Sequence, residues 1–217
     1  MDIGAMDRRE GLIELKDLRI PVERAQLHGW LYEDADGEPR WSIAVDGRPH
    51  RFGDGEFAQE LAPRFYDESL PLRIGDWREL EQQRCRFRWQ DDEDQGDSLP
   101  TLYLCSHLSL PLSELSLGAR DGRRFALRWT GLAEANWDED YGREMPFRIE
   151  LQIPFVEQEV RFWQHGDGEE VETAARAILR KRGLSDAHLR YREYRRFRDD
   201  PGDEHYRLLR AFFDPVE

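Results

Sequence analysis

The sequence predicts an α+β fold that is mainly β: antiparallel sheets from two hairpin modules that are open to a reading as duplicates, with one C-terminal helix and a terminal hairpin. Three observations predict it. Turn signals recur every eight to fifteen residues through the first 165 positions. The stretches between them alternate apolar with polar residues or are rich in β-branched, Leu and aromatic side chains, the pattern of half-buried strands. One late segment alone carries a complete set of helix signals. With 217 residues, 39% hydrophobic and 12% aromatic, the chain has enough apolar material for a substantial core. The expected division is an N-terminal β-rich module over residues 1–98 with a short helix, and a second over residues 99–217 with the late helix and hairpin, the two packing as one unit.

Asp34-Ala35-Asp36-Gly37 separates the apolar run before Tyr32 from the alternating Trp41, Ile43 and Val45, which reads as a hairpin. Residues 55–65 place Phe57, Ala58, Leu61 and Phe65 on one side of a short helix, with Pro63 against it. Residues 84–90 and 101–110 flank a polar stretch centred near Gln95, so positions summing to 190 pair and Cys85 faces Cys105. That geometry permits a disulfide, whereas two cysteines in a chain without a secretory signal fit reduced thiols. Arg120-Asp121-Gly122-Arg123 turns between Leu115, Leu117 and Phe125, Leu127, Trp129, a second hairpin. In residues 169–182, Val171, Ala174, Ala175, Ile178 and Leu179 keep the helical period, glutamates open the segment, basic residues close it and Gly183 stands at C′. The last hairpin pairs residues 188–198 with 205–213 across Asp199-Asp200-Pro201-Gly202-Asp203.

The two early hairpins resemble each other. Leu18-Arg19-Ile20-Pro21-Val22 matches Leu108-Ser109-Leu110-Pro111-Leu112 at an offset of 90, and after a six-residue gap Trp41, Ile43, Val45 match Phe125, Leu127, Trp129. Leu151-Gln152-Ile153-Pro154-Phe155 repeats the short pattern. A duplicated module with a groove between copies is one reading; the other is that apolar-x-apolar-Pro-apolar is simply how an edge strand ends or bends.

The composition excludes a spanning helix: 36% of residues are charged, mean hydropathy is −0.84, and no window approaches eighteen apolar residues. The first ten residues lack an apolar core and a cleavage-like site, so a cytoplasmic address is expected. Net charge is −14, and all but Lys16 and Lys181 of the 32 basic residues are arginine, which favours bidentate carboxylate pairs and stacking on aromatic rings. The charge is uneven, because nine basic residues from Arg176 to Arg198 face only Asp186 and Glu193. Tyr191, Tyr194 and Phe197 are interleaved there in the manner of a nucleic-acid stripe. The strongly negative remainder opposes a polyanion, so internal pairing or contact with a second copy is the preferred reading, and neither nucleic acid nor membrane is expected as a partner.

No phosphate loop, G-x-S-x-G elbow, H-E-x-x-H or CxxC pair is present, and the six histidines are seventeen or more residues apart. Neither Asn136-Trp137-Asp138-Glu139-Asp140-Tyr141-Gly142 nor Asp92-Glu93-Asp94-Gln95-Gly96 keeps the glycine and ligand spacing of a calcium loop. No catalytic residue, metal ligand or cofactor is therefore assigned. The candidate binding residues are Trp137, Asp138, Glu139, Asp140 and Tyr141, where large aromatics stand among carboxylates between strands, and Asp91, Asp92, Glu93 and Asp94 of the other acidic turn.

At Phe125-Ala126-Leu127-Arg128-Trp129-Thr130-Gly131, through Trp137 to Gly142 and on to Met145-Pro146-Phe147-Arg148-Ile149, the chain resembles acidic bacterial proteins encoded beside toxins, the immunity type. The resemblance covers under a quarter of the chain and assigns no functional residues. It implies a non-enzymatic cytoplasmic protein that occludes the active site of a basic toxin domain, with charge speeding encounter and aromatics holding the complex. The alternatives are an enzyme or small-ligand-binding protein with its site between the β-modules, and a structural subunit of a larger assembly, including a homo-oligomer.

Overall fold

The computed structural model of the chain describes residues 11–33, 38–53, 56, 58–88, 100–134, 144–165, 170–199 and 206–217, without the side chains of 164, 165, 197–199, 206 and 207. Its strands are β1 (Leu12–Leu15), β2 (Leu18–Tyr32), β3 (Arg40–Gly47), β4 (His50–Phe52), β5 (Gln59–Leu61), β6 (Arg64–Leu70), β7 (Arg84–Arg88), β8 (Thr101–Leu104), β9 (Ser106–Ser109), β10 (Leu112–Asp121), β11 (Arg124–Ala133), β12 (Met145–His165), β13 (Leu189–Asp199) and β14 (Tyr206–Pro215). One α-helix, α1 (Val171–Lys181), lies between β12 and β13. The main sheet runs β7-β10-β11-β12-β1-β2-β3-β6-β8-β9, with β14 on the far half of β12 and β13 beyond it.

Two long strands form the spine. The first half of β12 pairs with β11 and β1, and its second half pairs with β14 and, in parallel, with β2. Strand β1 is thus a short wedge between β2 and β12. Where it ends, the two long strands close on each other so tightly that a Cβ on Gly11 would lie 2.7 Å from the Leu151 Cβ.

The inward face changes parity along both spine strands. In β2 the core-facing residues are Leu18, Ile20 and Val22, then Ala25, Leu27, Gly29 and Leu31. In β12 they are Met145 to Phe155 at odd positions, then Gln158, Val160 and Phe162. Register shifts between Val22 and Arg24 and between Phe155 and Glu157 account for this. One extra residue on a strand with period two exchanges its faces and bends it, so the sheet curls and keeps one continuous apolar side.

The curl brings two wings face to face. Phe65 on β6 meets Trp129 on β11 and Phe147 on β12, with ring centroids 6.0 and 4.9 Å apart. Near the spine bulge, Phe155 is touched by Trp41 and stacked by Trp77, whose rings are 5.5 Å apart and 7° from parallel. Trp77 sits in a one-turn 3-10 helix capped by Asp76, and its indole donates to the His188 carbonyl at 3.0 Å. Helix α1 buries Ala174, Ala175, Ile178 and Leu179 and ends in paired bonds from Gly183 N to Arg180 O and from Leu184 N to Leu179 O, with Gly183 at φ 77. This is the Schellman stop that the glycine position foretold.

Both expected hairpins and the terminal one form, as β2–β3, β10–β11 and β13–β14, although turn residues 34–37 lie outside the described residues. Under the sequence match the first two share a register: Ala25 faces Val45 and Leu27 faces Ile43, as Leu115 faces Trp129 and Leu117 faces Leu127. Their surroundings differ, for residues 18–22 lie within one strand while residues 108–112 cross from β9 to β10. The stretches 1–98 and 99–217 are joined by β6–β8, β7–β10, and the pairing of β12 with β1 and β2.

Two expectations need correction. Residues 59–61 and 64–70 are strands, so no helix spans residues 55–65: the spacing of Leu61 and Phe65 suits a helix, but the cross-wing contacts of Phe65 hold it in a sheet. The hairpin joining residues 84–90 to 101–110 is also absent. Strand β7 pairs with β10 and sets Cys85 opposite Leu115, whereas β8 pairs with β6 and β9. Both cysteines are free, Cys85 buried and Cys105 exposed.

At Gly131 an added Cβ would sit 2.1 Å from the Leu112 carbonyl oxygen, a backbone atom that moves only with its strand. Gly131→Ala is expected to cost about 2–3 kcal/mol in urea unfolding, while Gly118→Ala, with 3.4 Å to its nearest neighbour, stays within about 1 kcal/mol of the parent. The buried Trp129 indole donates to Ser113 Oγ at 2.6 Å. Ser113→Ala strands that donor and is expected to lower stability by about 1–3 kcal/mol in the same assay.

Candidate functional site

The candidate binding residues Asp91, Asp92, Glu93, Asp94 and Trp137, Asp138, Glu139, Asp140, Tyr141 lie outside the described residues. The strand ends that carry these two segments are described, and they converge. Arg88, the last residue of β7, pairs with Leu112; Leu112 pairs with Leu132 near the end of β11; Leu132 pairs with Pro146 at the start of β12. Thr101 at the start of β8 pairs with Ser109, whose carbonyl accepts from Glu134 N at 3.1 Å. Strand spacing therefore sets the ends of β7 and β11 about 10 Å apart. Residues 89–99 and 134–144 hold ten carboxylates against one arginine.

A continuous cross-strand row begins near these strand ends. Arg24, Asp46, Arg64, Tyr103 and His107 are successive partners across β2, β3, β6, β8 and β9. Asp46 accepts ion pairs from Arg24 at 3.1 Å and Arg64 at 3.5 Å. Tyr103 is 41% exposed and meets the His107 ring edge-on at 5.2 Å, while the Tyr66 hydroxyl lies 3.4 Å from His107 Nδ1. An open cleft of about 550 Å³ runs beside the row, lined by both arginines, Asp46, Pro63 and Tyr103. No single-strand pattern could have revealed this row, because each member comes from a different strand.

On the outer face of the other end of this wing, a lattice of arginines, rings and carboxylates crosses β2, β12, β14 and β13. Glu159, 6% exposed, is held by Arg161 at 2.5 Å and by both prongs of Arg210. Arg161 lies over Trp30 and Tyr32, and Arg192, Arg195 and Arg210 lie over Phe212. Arg192 also binds Glu157 at 2.6 Å and Asp214 at 2.7 Å. Beside α1, Arg176 and Arg180 share Asp186 at 3.2 and 2.8 Å. Most of the positive run from Arg176 onward is thus consumed by internal pairing.

Burial pushes the Glu159 carboxyl up, but hydrogen bonds from Arg210 and Arg161 outweigh it and hold the group below the usual carboxylate range. Contact with His28 likewise holds Glu157 low against burial, aided by Arg192. Burial, with a smaller push from Asp67, raises the Cys85 thiol to about 12, so it is not a nucleophile at neutral pH.

Where the two early hairpins meet, a cleft of about 320 Å³ is lined by Gly11, Glu23, Arg24, Arg124 and Gln152 among others. Among the described residues no group of three or more His, Cys, Asp or Glu is placed to hold a metal ion, and no helix is long and apolar enough to cross a membrane. No family model, curated protein or solved structure matches the chain.

A carboxyl lowered in the folded state contributes stability that is complete above its unfolded pKa and is lost as pH falls through the folded value. The stability gap between the parent and Glu159→Gln is therefore expected to be constant above about pH 5 and to narrow below the ordinary value of 4.5. Urea midpoints measured from pH 7 to pH 3 check this. Glu159→Ala, which leaves two guanidiniums facing an empty position, should cost about 3 kcal/mol at pH 7.

Proposed function

We propose that the chain is a non-enzymatic protein-binding module of the immunity type, acting in the cytoplasm to neutralise a basic toxin domain. The observation that carries this reading is the convergence of the strand ends bearing the two acidic segments at one end of the molecule. Two acidic stretches far apart in sequence then serve one surface, with Trp137 and Tyr141 as its large aromatic side chains. Clustered carboxylates steer a basic partner and accelerate encounter, and a desolvated aromatic lowers the rate of escape. The partner surface extends toward Tyr103 and His107, since Tyr103 stands two residues along β8 from Thr101. The shared register of the two early hairpins supports their reading as copies.

Co-expression with the product of the adjacent gene, followed by affinity capture, tests the proposal. A retained complex is expected, with a Kd that rises with salt and rises roughly tenfold or more in Trp137→Ala. Neutralising Asp91, Asp92, Glu93 and Asp94 together should act mainly on the association rate. Failure to retain the adjacent product, or a Trp137→Ala complex as tight as the parent's, overturns it.

A further inference from the structure

We propose that the outer face of the β7-β10-β11-β12 wing carries a phosphoryl-binding cleft between Arg84 and Arg128. The strand register builds it. Arg84 on β7, Ser116 on β10 and Arg128 on β11 are successive partners in one row, so the two arginines stand about 10 Å apart on either side of a hydroxyl. Thr130, one row away on the same face, supplies a second hydroxyl, and the cleft these residues line with Glu114 has a volume of about 250 Å³.

The charge of this face is opposite to that of the chain. Arg86 faces Glu114 in the neighbouring row, and Arg128 and Arg148 share Glu150 at 3.7 and 2.7 Å. Four arginines therefore meet two glutamates, in a protein of net charge −14. Among the described residues, no carboxylate lies within ion-pair distance of Arg84 or Arg86, in contrast to the paired arginines around α1 and β13. The acidic segments begin beyond Arg88, four residues along β7 from Arg84, or about 13 Å. The charges that act most strongly on a ligand in the cleft are those within the Debye length of about 8 Å at physiological ionic strength.

Charged side chains on β7 alone would be explained as protection of a sheet edge. Arg128 and Arg148 stand on interior strands, where no edge needs protecting. The donor set also separates two kinds of anion. A planar carboxylate is satisfied by one guanidinium fork, whereas guanidiniums on two strands with the Ser116 and Thr130 hydroxyls between them suit a tetrahedral group with three acceptor oxygens; to serve it, Arg128 turns from Glu150, 3.7 Å away, and Ser116 Oγ from the Arg128 carbonyl to which it donates at 3.4 Å. The group could be borne by a small molecule or by a nucleic-acid strand; the shared chemistry is the phosphoryl oxyanion.

The experiment is an amide NMR titration of the full chain at constant ionic strength, with inorganic phosphate in one arm and a single-stranded oligonucleotide in the other. Saturable shifts centred on Ser116 and Thr130 are expected. Arg84→Ala and Arg128→Ala, both at exposed positions, should weaken the apparent Kd about tenfold, and Arg190→Ala on the opposite wing should leave it unchanged. Saturation by phosphate alone assigns a small ligand, and tighter binding of the oligonucleotide assigns a polymer. Non-saturable shifts spread over the arginine surface, or variants that titrate like the parent, overturn the proposal. Neither outcome depends on capture of the adjacent gene product.

Discussion

A strand that buries one face cannot turn its apolar side chains to the other without an added residue, and this constraint acts twice in the spine. Glu23 in β2 and Val156 in β12 are the residues that the neighbouring strands do not match. Each lets an inward-facing row continue on the opposite parity while the strand bends. Because both spine strands bend, β11 and β14 succeed each other along one flank of β12, and the wings face each other instead of extending as a flat ribbon. Phe155 lies beside the second switch, where Trp41 from β3 and Trp77 from the 3-10 turn close on it. The core is continuous along the curled sheet, and its stacked rings meet at the bend.

The same constraint shapes which backbone positions tolerate no side chain. Gln158 is the first inward residue after the β12 switch, and it is polar and buried. It faces Gly29 across the parallel pairing, where a Cβ would lie 2.0 Å from its Oε1. The amide side chain fills the space that the glycine leaves open, so this polar residue enters the core where the opposite strand has been emptied to admit it. Glycine is required there by close approach and not by an unusual φ.

What the sequence makes legible is local. The helix over residues 171–181 is announced by its own period and by Gly183, and the hairpins by their turns and alternation. The parity change is legible too, since Leu18, Ile20 and Val22 are even while Leu27, Gly29 and Leu31 are odd. Pairing between distant strands is not legible: β7 has the same alternation whether its neighbour is β8 or β10, and only the inward partners Leu115 and Ser113 decide. Phe65 is misread for the same reason, because the rings that hold it, Trp129 and Phe147, stand more than sixty positions away. Of the proposed binding surface, composition identifies the acidic segments, but the common anchorage of their flanking strand ends and the row from Arg24 to His107 arise only when five or more strands are assembled.

Electrostatics shows the largest change between the linear and folded readings. In sequence the positive excess belongs to the segment from Arg176 to Arg198. In the fold Arg192 meets Glu157 and Asp214 from outside that segment, and Arg176 and Arg180 converge on Asp186 within it. Among the described residues, Arg84 and Arg86 on β7 have no carboxylate within ion-pair distance, although the sequence there shows only arginines in alternation with Cys85 and Phe87. A side chain's effective charge is set by what lies within about a Debye length, and strand pairing decides those neighbours. One wing can therefore carry rows of arginines along its face although the chain as a whole is strongly acidic.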